Sequence, residues 1–170
     1  MTLAQLKERF DEVGIKHVKV GIFDVDGVLR GKYVSPEKFF SAAEGGMGFC
    51  DVIFGWDSAD ALLDNVRVTG WHTGYPDAPA RVDLSTFRVL PWEPDTALFL
   101  LDMDLEVAPR TVLRKVVDQC MSLGYRFYAS AEYEFFFFRE TSASVRQKGD
   151  RKSTRLNSSH IQKSRMPSSA

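Results

Sequence analysis

Leu3, Leu6, Phe10 and Val13 recur at helical spacing, with Thr2 placed to cap the first turn and Gly14 to end the last. A short amphipathic helix is predicted over 3–13. The period then falls to two: Val18, Val20 and Ile22 alternate with Lys19 and Gly21, as in a strand with two different faces. Asp26-Gly27 follows, and VLRGKYV after it is again rich in β-formers, so the two runs predict a hairpin. Ser35-Pro36 opens a second helix, since proline in the first helical position has no donor to lose, and Gly45-Gly46 closes it.

From Gly45 to Pro79 the chain is rich in Gly, Asp and aromatic residues and shows little period. Long loops are predicted there, with a short strand at VRVTG; connections of that length are often functional. TFRVLPW, stopped by Pro91, and ALFLLDMD read as strands. Beyond Pro109, a helical face collects Val112, Leu113, Val116, Val117 and Cys120, and Gly124 ends it. YRFYASAEYEFFFF then predicts a strand pair or one long strand. Helix, hairpin, helix, loops, strands, helix and strand in that order make an α+β arrangement without internal repeats.

Composition narrows the classes. The 170 residues carry a formal net charge of −1, so no global field favours nucleic acid or an anionic membrane. Cys50 and Cys120 lie far apart without CxxC or His neighbours, which gives neither a disulfide framework nor a zinc spacing. The amino terminus lacks a basic segment followed by an apolar one, and no apolar run approaches the ~20 residues of a membrane helix. A cytoplasmic chain is expected.

After Gly149 the apolar period stops. DRKSTRLNSSH is the translation of a common short-read sequencing adapter, and SRMPSSA translates its downstream portion. Ile161, Gln162 and Lys163 fall where the variable index bases would lie. Residues 150–170 are therefore expected to be a non-native, disordered tail that ends an interrupted reading frame.

Two motifs carry candidate chemistry. GIFDVDGVLRG resembles the nucleophile motif of haloacid-dehalogenase-type phosphatases, in which Asp24 would attack a phosphoryl group and Asp26 would serve as general acid and base. That fold needs the strand to enter a loop and helix, whereas VLRGKYV reads as a returning strand. Asp26-Gly27 as a plain turn is the simpler account. The second motif is Glu132 with Glu134. On a strand, residues two apart share a face at a separation of ~6.6 Å, so each carboxylate could hold one of two divalent cations. An edge strand with one polar face is the alternative.

Several segments together resemble the glutamine synthetase family. VKVGIFDVDGVLRGKYV is similar to the hairpin opening that family's amino-terminal β-grasp domain, and DLSTFRVLPWEPDTALFLLDMD to its passage through Pro-Trp into a strand ending in Asp. APRTVLRKVV resembles the first helix of the catalytic domain, and AEYEFFFF its metal-binding Glu-x-Glu-Phe strand. The resemblance spans residues 15–139. It implies an amino-terminal helix (1–14), a β-grasp-like domain (15–105) and the truncated start of a catalytic domain (106–149).

It also implies a chemistry. Such enzymes use ATP to phosphorylate the γ-carboxylate of glutamate, and ammonia or another amine attacks the acyl phosphate. Glu132 and Glu134 would be ligands to different Mg2+ or Mn2+ ions. The family's homo-oligomers complete each site with a loop from the neighbouring subunit, including an Asp that binds ammonium. In FGWDSAD that role would fall to Asp57, although the family's Asp-Gly-Ser-Ser wording is absent and putrescine, methylamine or an aromatic amine becomes a reasonable acceptor. Asp57 as a helix N-cap before ADALLD is the plainer alternative. The remaining ligands and the ATP and glutamate sites would lie downstream, so the 170-residue chain is expected to be inactive. A non-catalytic β-grasp interaction module is the third reading.

Overall fold

In the computed structural model, residues 1–133, 135 and 138–148 are described. The expectations for Glu134, for the middle of the FFFF run and for the tail at 150–170 therefore lie outside the described residues. The chain forms two compact units, Met1–Phe127 and Tyr128–Ala170.

Helix α1 (Leu3–Val13) forms where the spacing predicts it, closed by a reciprocal cap. The Gln5 amide donates to the Thr2 hydroxyl at 3.2 Å, and the Thr2 amide donates to the Gln5 side chain at 2.9 Å. Gly14 ends it in the left-handed conformation at φ 76°. Strands β1 (His17–Phe23) and β2 (Leu29–Val34) make the predicted antiparallel hairpin, with Gly21 opposite Gly31. Helix α2 (Pro36–Gly45) starts with Ser35 as cap and Pro36 in its first turn.

Three further strands complete the sheet: β3 (Met47–Cys50), β4 (Asp77–Leu90) and β5 (Glu93–Met103). The order is β2-β1-β5-β4-β3, with β1 parallel to β5 and every other pair antiparallel. The architecture is thus α+β. A parallel pair needs a long crossover, and here everything from β2 to β4 lies between its two strands.

Both helices pack over one face of the sheet through aromatic rings. Phe39 of α2 lies 4.3 Å from Phe99 of β5, centroid to centroid, and Phe10 of α1 lies 5.6 Å from Phe39 and 6.3 Å from Phe99. Val18, Val20 and Ile22 join this core, as their alternation predicts. Among the described residues no helix is long and apolar enough to cross a membrane, and both cysteines are free.

Two expectations need correction. VRVTG is not a strand but a run of turn and bend. Its β-formers meet no sheet edge, and Thr69 instead donates its hydroxyl to the buried Asp51 at 2.7 Å, which fixes the segment as a loop. The long strand expected from residue 125 onward is not formed over 125–133. β-Forming side chains make a strand only where a neighbouring strand pairs the backbone, and Tyr125, Phe127, Tyr128 and Tyr133 stand exposed. Helix α3 (Pro109–Ser122) forms where the spacing predicts it; Thr111 is its one buried residue, and Val112, Leu113 and Val116 of its apolar stripe face solvent. A short helix α4 (Ser142–Lys148), not predicted, lies in the second unit.

Candidate functional site

The Asp-x-Asp motif sits where β1 turns into β2. Asp24 is fully buried, and both of its carboxylate oxygens are engaged. Oδ1 accepts the amides of Asp26 at 3.0 Å and Val28 at 2.8 Å, while Oδ2 accepts Nε of Arg30 at 2.7 Å. Gly27 takes φ 78° and donates its amide to the Asp24 carbonyl, a conformation that favours glycine. The Asp-Gly turn is therefore a short loop wrapped around one carboxylate. β1 returns as antiparallel β2 and does not enter a helix, and Asp24 has no free oxygen with which to attack a phosphoryl group. The phosphatase arrangement is absent.

Asp57 lies in a second loop, which leaves a turn of 3-10 helix (Asp51–Phe54) and doubles back on itself. The Leu63 amide donates to the Gly55 carbonyl at 2.8 Å, and the Asp57 amide donates to the Ala61 carbonyl at 3.0 Å. Asp57 Oδ1 accepts the amides of Ala59 at 2.8 Å and Ala61 at 3.0 Å, which pins the tip. No helix follows, so the N-cap reading of Asp57 is corrected: its side chain caps a loop. Asp57 is half-buried, and among the described residues its Oδ2 accepts no hydrogen bond.

The two loops are joined by Arg30, which spacing alone did not single out. Its guanidinium donates to Asp24 through Nε, to the Asp60 carboxylate through Nη1 at 2.5 Å and to the Asp57 carbonyl through Nη2 at 3.1 Å. It also lies over the Trp56 ring, 5.0 Å from the centroid. Asp26 adds a second tether, accepting the Ser58 amide at 2.7 Å. The hydrogen bond to Asp24, followed by the pairing with Asp60, outweighs desolvation and raises the Arg30 guanidinium above its ordinary value. The sequence signal was an Asp and an Arg six residues apart across a hairpin, legible only once the partner loop is known.

A further network holds α3 to the sheet. Arg110 donates to Asp102 on β5 at 2.8 Å and to Asp83 on β4 at 2.5 Å, and Arg114 reaches Asp102 at 2.7 Å. Burial pushes the Asp83 carboxyl up, but the Ser85 hydroxyl and amide together with Arg110 prevail and hold it below its ordinary value.

Glu132 is exposed and lies in the second unit, in a stretch without strand; its expected partner Glu134 is outside the described residues. Among the described residues no three His, Cys, Asp or Glu side chains group so as to hold a metal ion. Of the proposed pair only Glu132 is described, so the described residues do not by themselves make up a metal site.

Residues 106–168 match the sequence profile of the family described as glutamine synthetase, catalytic domain. The chain is 47% identical to the type-1 glutamine synthetase 2 of Dictyostelium discoideum over 137 residues, covering 77% of this chain and 26% of that protein. It is 37% identical to the glutamate–isopropylamine ligase of a Pseudomonas species over 150 residues, covering 84% of this chain and 33% of the relative. A solved structure of a GmaS/ADP complex, in its conformation 1, superposes with a TM-score of 0.51 at 25% identity, over 72% of this chain and 26% of that one. The chain spans about a quarter to a third of the length of these relatives.

Proposed function

Since this chain belongs to the glutamine synthetase family, we propose that it is the amino-terminal part of an ATP-dependent ligase that joins the γ-carboxylate of glutamate to an amine. The observation that carries the proposal is the 47% identity over 137 residues with a type-1 glutamine synthetase, supported by a second relative that is a glutamate–isopropylamine ligase. The α+β sheet with its parallel β1–β5 pair is in keeping with a β-grasp amino-terminal domain. The structural neighbour, a complex with ADP, is in keeping with ATP as co-substrate.

In this chemistry the γ-phosphoryl group of ATP passes to a γ-carboxylate oxygen of glutamate, releasing ADP. The amine nitrogen then attacks the acyl carbon of that γ-carboxyl group, phosphate leaves with its electron pair, and the nitrogen gives up a proton. Asp57 is the residue of this chain proposed to draw in the cationic amine, with Oδ2 turned to the substrate while Oδ1 holds the loop. That contact would serve at the active site of a neighbouring subunit in a homo-oligomer. Glu132 and Glu134 are proposed as ligands for Mg2+ or Mn2+, which when bound would supply charge neutralisation to the transferring phosphoryl group. The 170 residues alone are proposed to lack activity, because the ATP and glutamate sites are expected from residues that follow Gly149 in the gene.

The test is to recover the coding sequence past Gly149, purify the full-length product and measure ADP release with glutamate, ATP and a panel of amines. Ammonia, methylamine, isopropylamine and putrescine belong in the panel. Turnover that requires glutamate together with one of these amines supports the proposal. A folded full-length protein that releases no ADP with any of them would overturn it. Asp57→Asn is expected to raise the KM for the amine at least tenfold while leaving the KM for ATP within twofold.

A further inference from the structure

The Asp24-x-Asp26 motif and Arg30 remain outside the proposed chemistry, yet they form the most heavily bonded polar cluster on the first unit. Resting on the assignment of Asp57 to the amine site, we propose that Arg30 is a positioning residue. Its guanidinium fork, held from behind by buried Asp24, fixes the Asp57 loop in the shape that presents the free carboxylate oxygen to the amine.

The geometry supports this in three ways. Nε is committed to Asp24, the one fully buried partner, so the guanidinium plane is set by the hairpin rather than by the loop. The two remaining bonds both go to the loop, to Asp60 and to the Asp57 carbonyl, and so fix the main chain of the residue whose side chain is to act. Arg30 also covers the Trp56 ring, next in sequence to Asp57. Asp26 fixes the following amide, that of Ser58, from the other side. The hairpin therefore holds residues 56–60 at four points, and only an arginine has donors in the planar arrangement these acceptors demand. A lysine could reach one of the three oxygens and would leave the others without a donor.

Arg30→Met, Arg30→Lys, Asp26→Ala and Asp57→Asn, each in the full-length ligase, test this. Steady-state constants for amine, glutamate and ATP would be measured together with hydrogen exchange of the Ala59 and Ala61 amides. Arg30→Met is expected to raise the amine KM at least tenfold, with glutamate and ATP within twofold, and to speed exchange at both amides at least tenfold. Arg30→Lys is expected to behave like Arg30→Met, because the fork and not the charge is required. Asp26→Ala, an exposed turn position that spares the buried pair, is expected to raise the amine KM about threefold. In the Arg30→Met background Asp57→Asn should add less than twofold, since Arg30 acts through Asp57.

If Asp57→Asn is impaired for the amine but the Arg30 and Asp26 variants are not, the positioning role is wrong and the amine site stands. Full rescue by Arg30→Lys likewise overturns the fork. An Asp57→Asn enzyme with an unchanged amine KM removes the amine-site assignment, and the positioning role with it.

Discussion

Replacing Arg110 by Met would keep most of the apolar stem and delete the charge that holds α3 to the sheet. The helix buries almost nothing else: Thr111 is its one buried residue, and its hydroxyl donates to the Met103 carbonyl at 2.9 Å. Fourteen residues are about the length at which an isolated helix is marginal in water, so α3 depends on docking. Arg110 contributes two ion pairs, to Asp83 and to Asp102, with its own side chain 24% exposed. At that exposure each is worth about 1 kcal/mol, between the surface and buried cases. Losing about 2 kcal/mol raises the undocked population about thirtyfold, at about 1.4 kcal/mol per factor of ten.

Hydrogen exchange of the amides of residues 113–122 reads this directly, since undocking exposes them while the sheet stays folded. Exchange there should speed by about thirtyfold, with β1 and β5 unchanged. Arg9→Met is the control: it removes the Arg9–Glu12 pair, whose side chains are 52% and 64% exposed, and should leave α3 unaffected. Raising NaCl from about 0.05 to about 0.5 M should loosen α3 in the parent protein more than in the Arg110→Met variant, because the variant lacks two of the three pairs on which screening acts and keeps only Arg114–Asp102. If Arg110→Met leaves α3 exchange within threefold of the parent, the helix is held by contacts other than these ion pairs and the reasoning fails.

Other outcomes follow from the same packing. Phe39→Ala removes a fully buried ring stacked on Phe99 and should cost about 3–5 kcal/mol, read as a lower urea midpoint; a cost under about 1 kcal/mol would mean the aromatic cluster is not the core. Gly31→Ala would set a methyl group 2.7 Å from the Val20 carbonyl oxygen across the hairpin, where only backbone could yield. It should destabilise by about 1–3 kcal/mol, and a neutral melting temperature would contradict the register. Asp83, with its folded pKa below the unfolded value, contributes stability above about pH 4 that is lost as pH falls through the folded value. α3 protection should therefore fall as pH drops below about 4, and the fall should be smaller in Asp83→Asn; equal slopes in the two proteins would exclude Asp83 as the cause.

Local chemistry made much of the first unit legible. Thr2 and Gly14 bracket α1, Ser35-Pro36 starts α2, and Val18, Val20 and Ile22 alternate into the core, because caps and periods act within a few residues. What depended on distant partners was not legible. VRVTG carries strand letters, but whether it pairs is decided by which edge β4 leaves open. The stripe of Val112, Leu113 and Val116 marks α3 as an amphipathic helix, yet the period cannot say whether another element covers it. Residues 125–133 failed for the same reason: β propensity is a statement about fitting a neighbour, and among the described residues they have none. Of the candidate site, Asp57 is proposed from likeness to the family alone, and the Arg30 fork spans 30 residues of sequence and has no local signature.

The Asp-x-Asp motif shows what separates a nucleophile from a tether. A carboxylate that attacks phosphorus must keep one oxygen exposed along the line of attack, so its other bonds have to come from behind or from a metal. Asp24 has no exposed surface and three donors shared between two oxygens, two of them amides of its own turn. Those amides converge on it because β2 returns at once, so the hairpin that closes the turn is also what engages the carboxylate. A strand leading into a helix would carry its next amides away along the helix axis and leave the oxygens open. The topology after the motif, and not the spacing of its two aspartates, therefore decides its chemistry. Here it converts a pair suited to phosphoryl transfer into the fixed base from which Arg30 reaches the Asp57 loop.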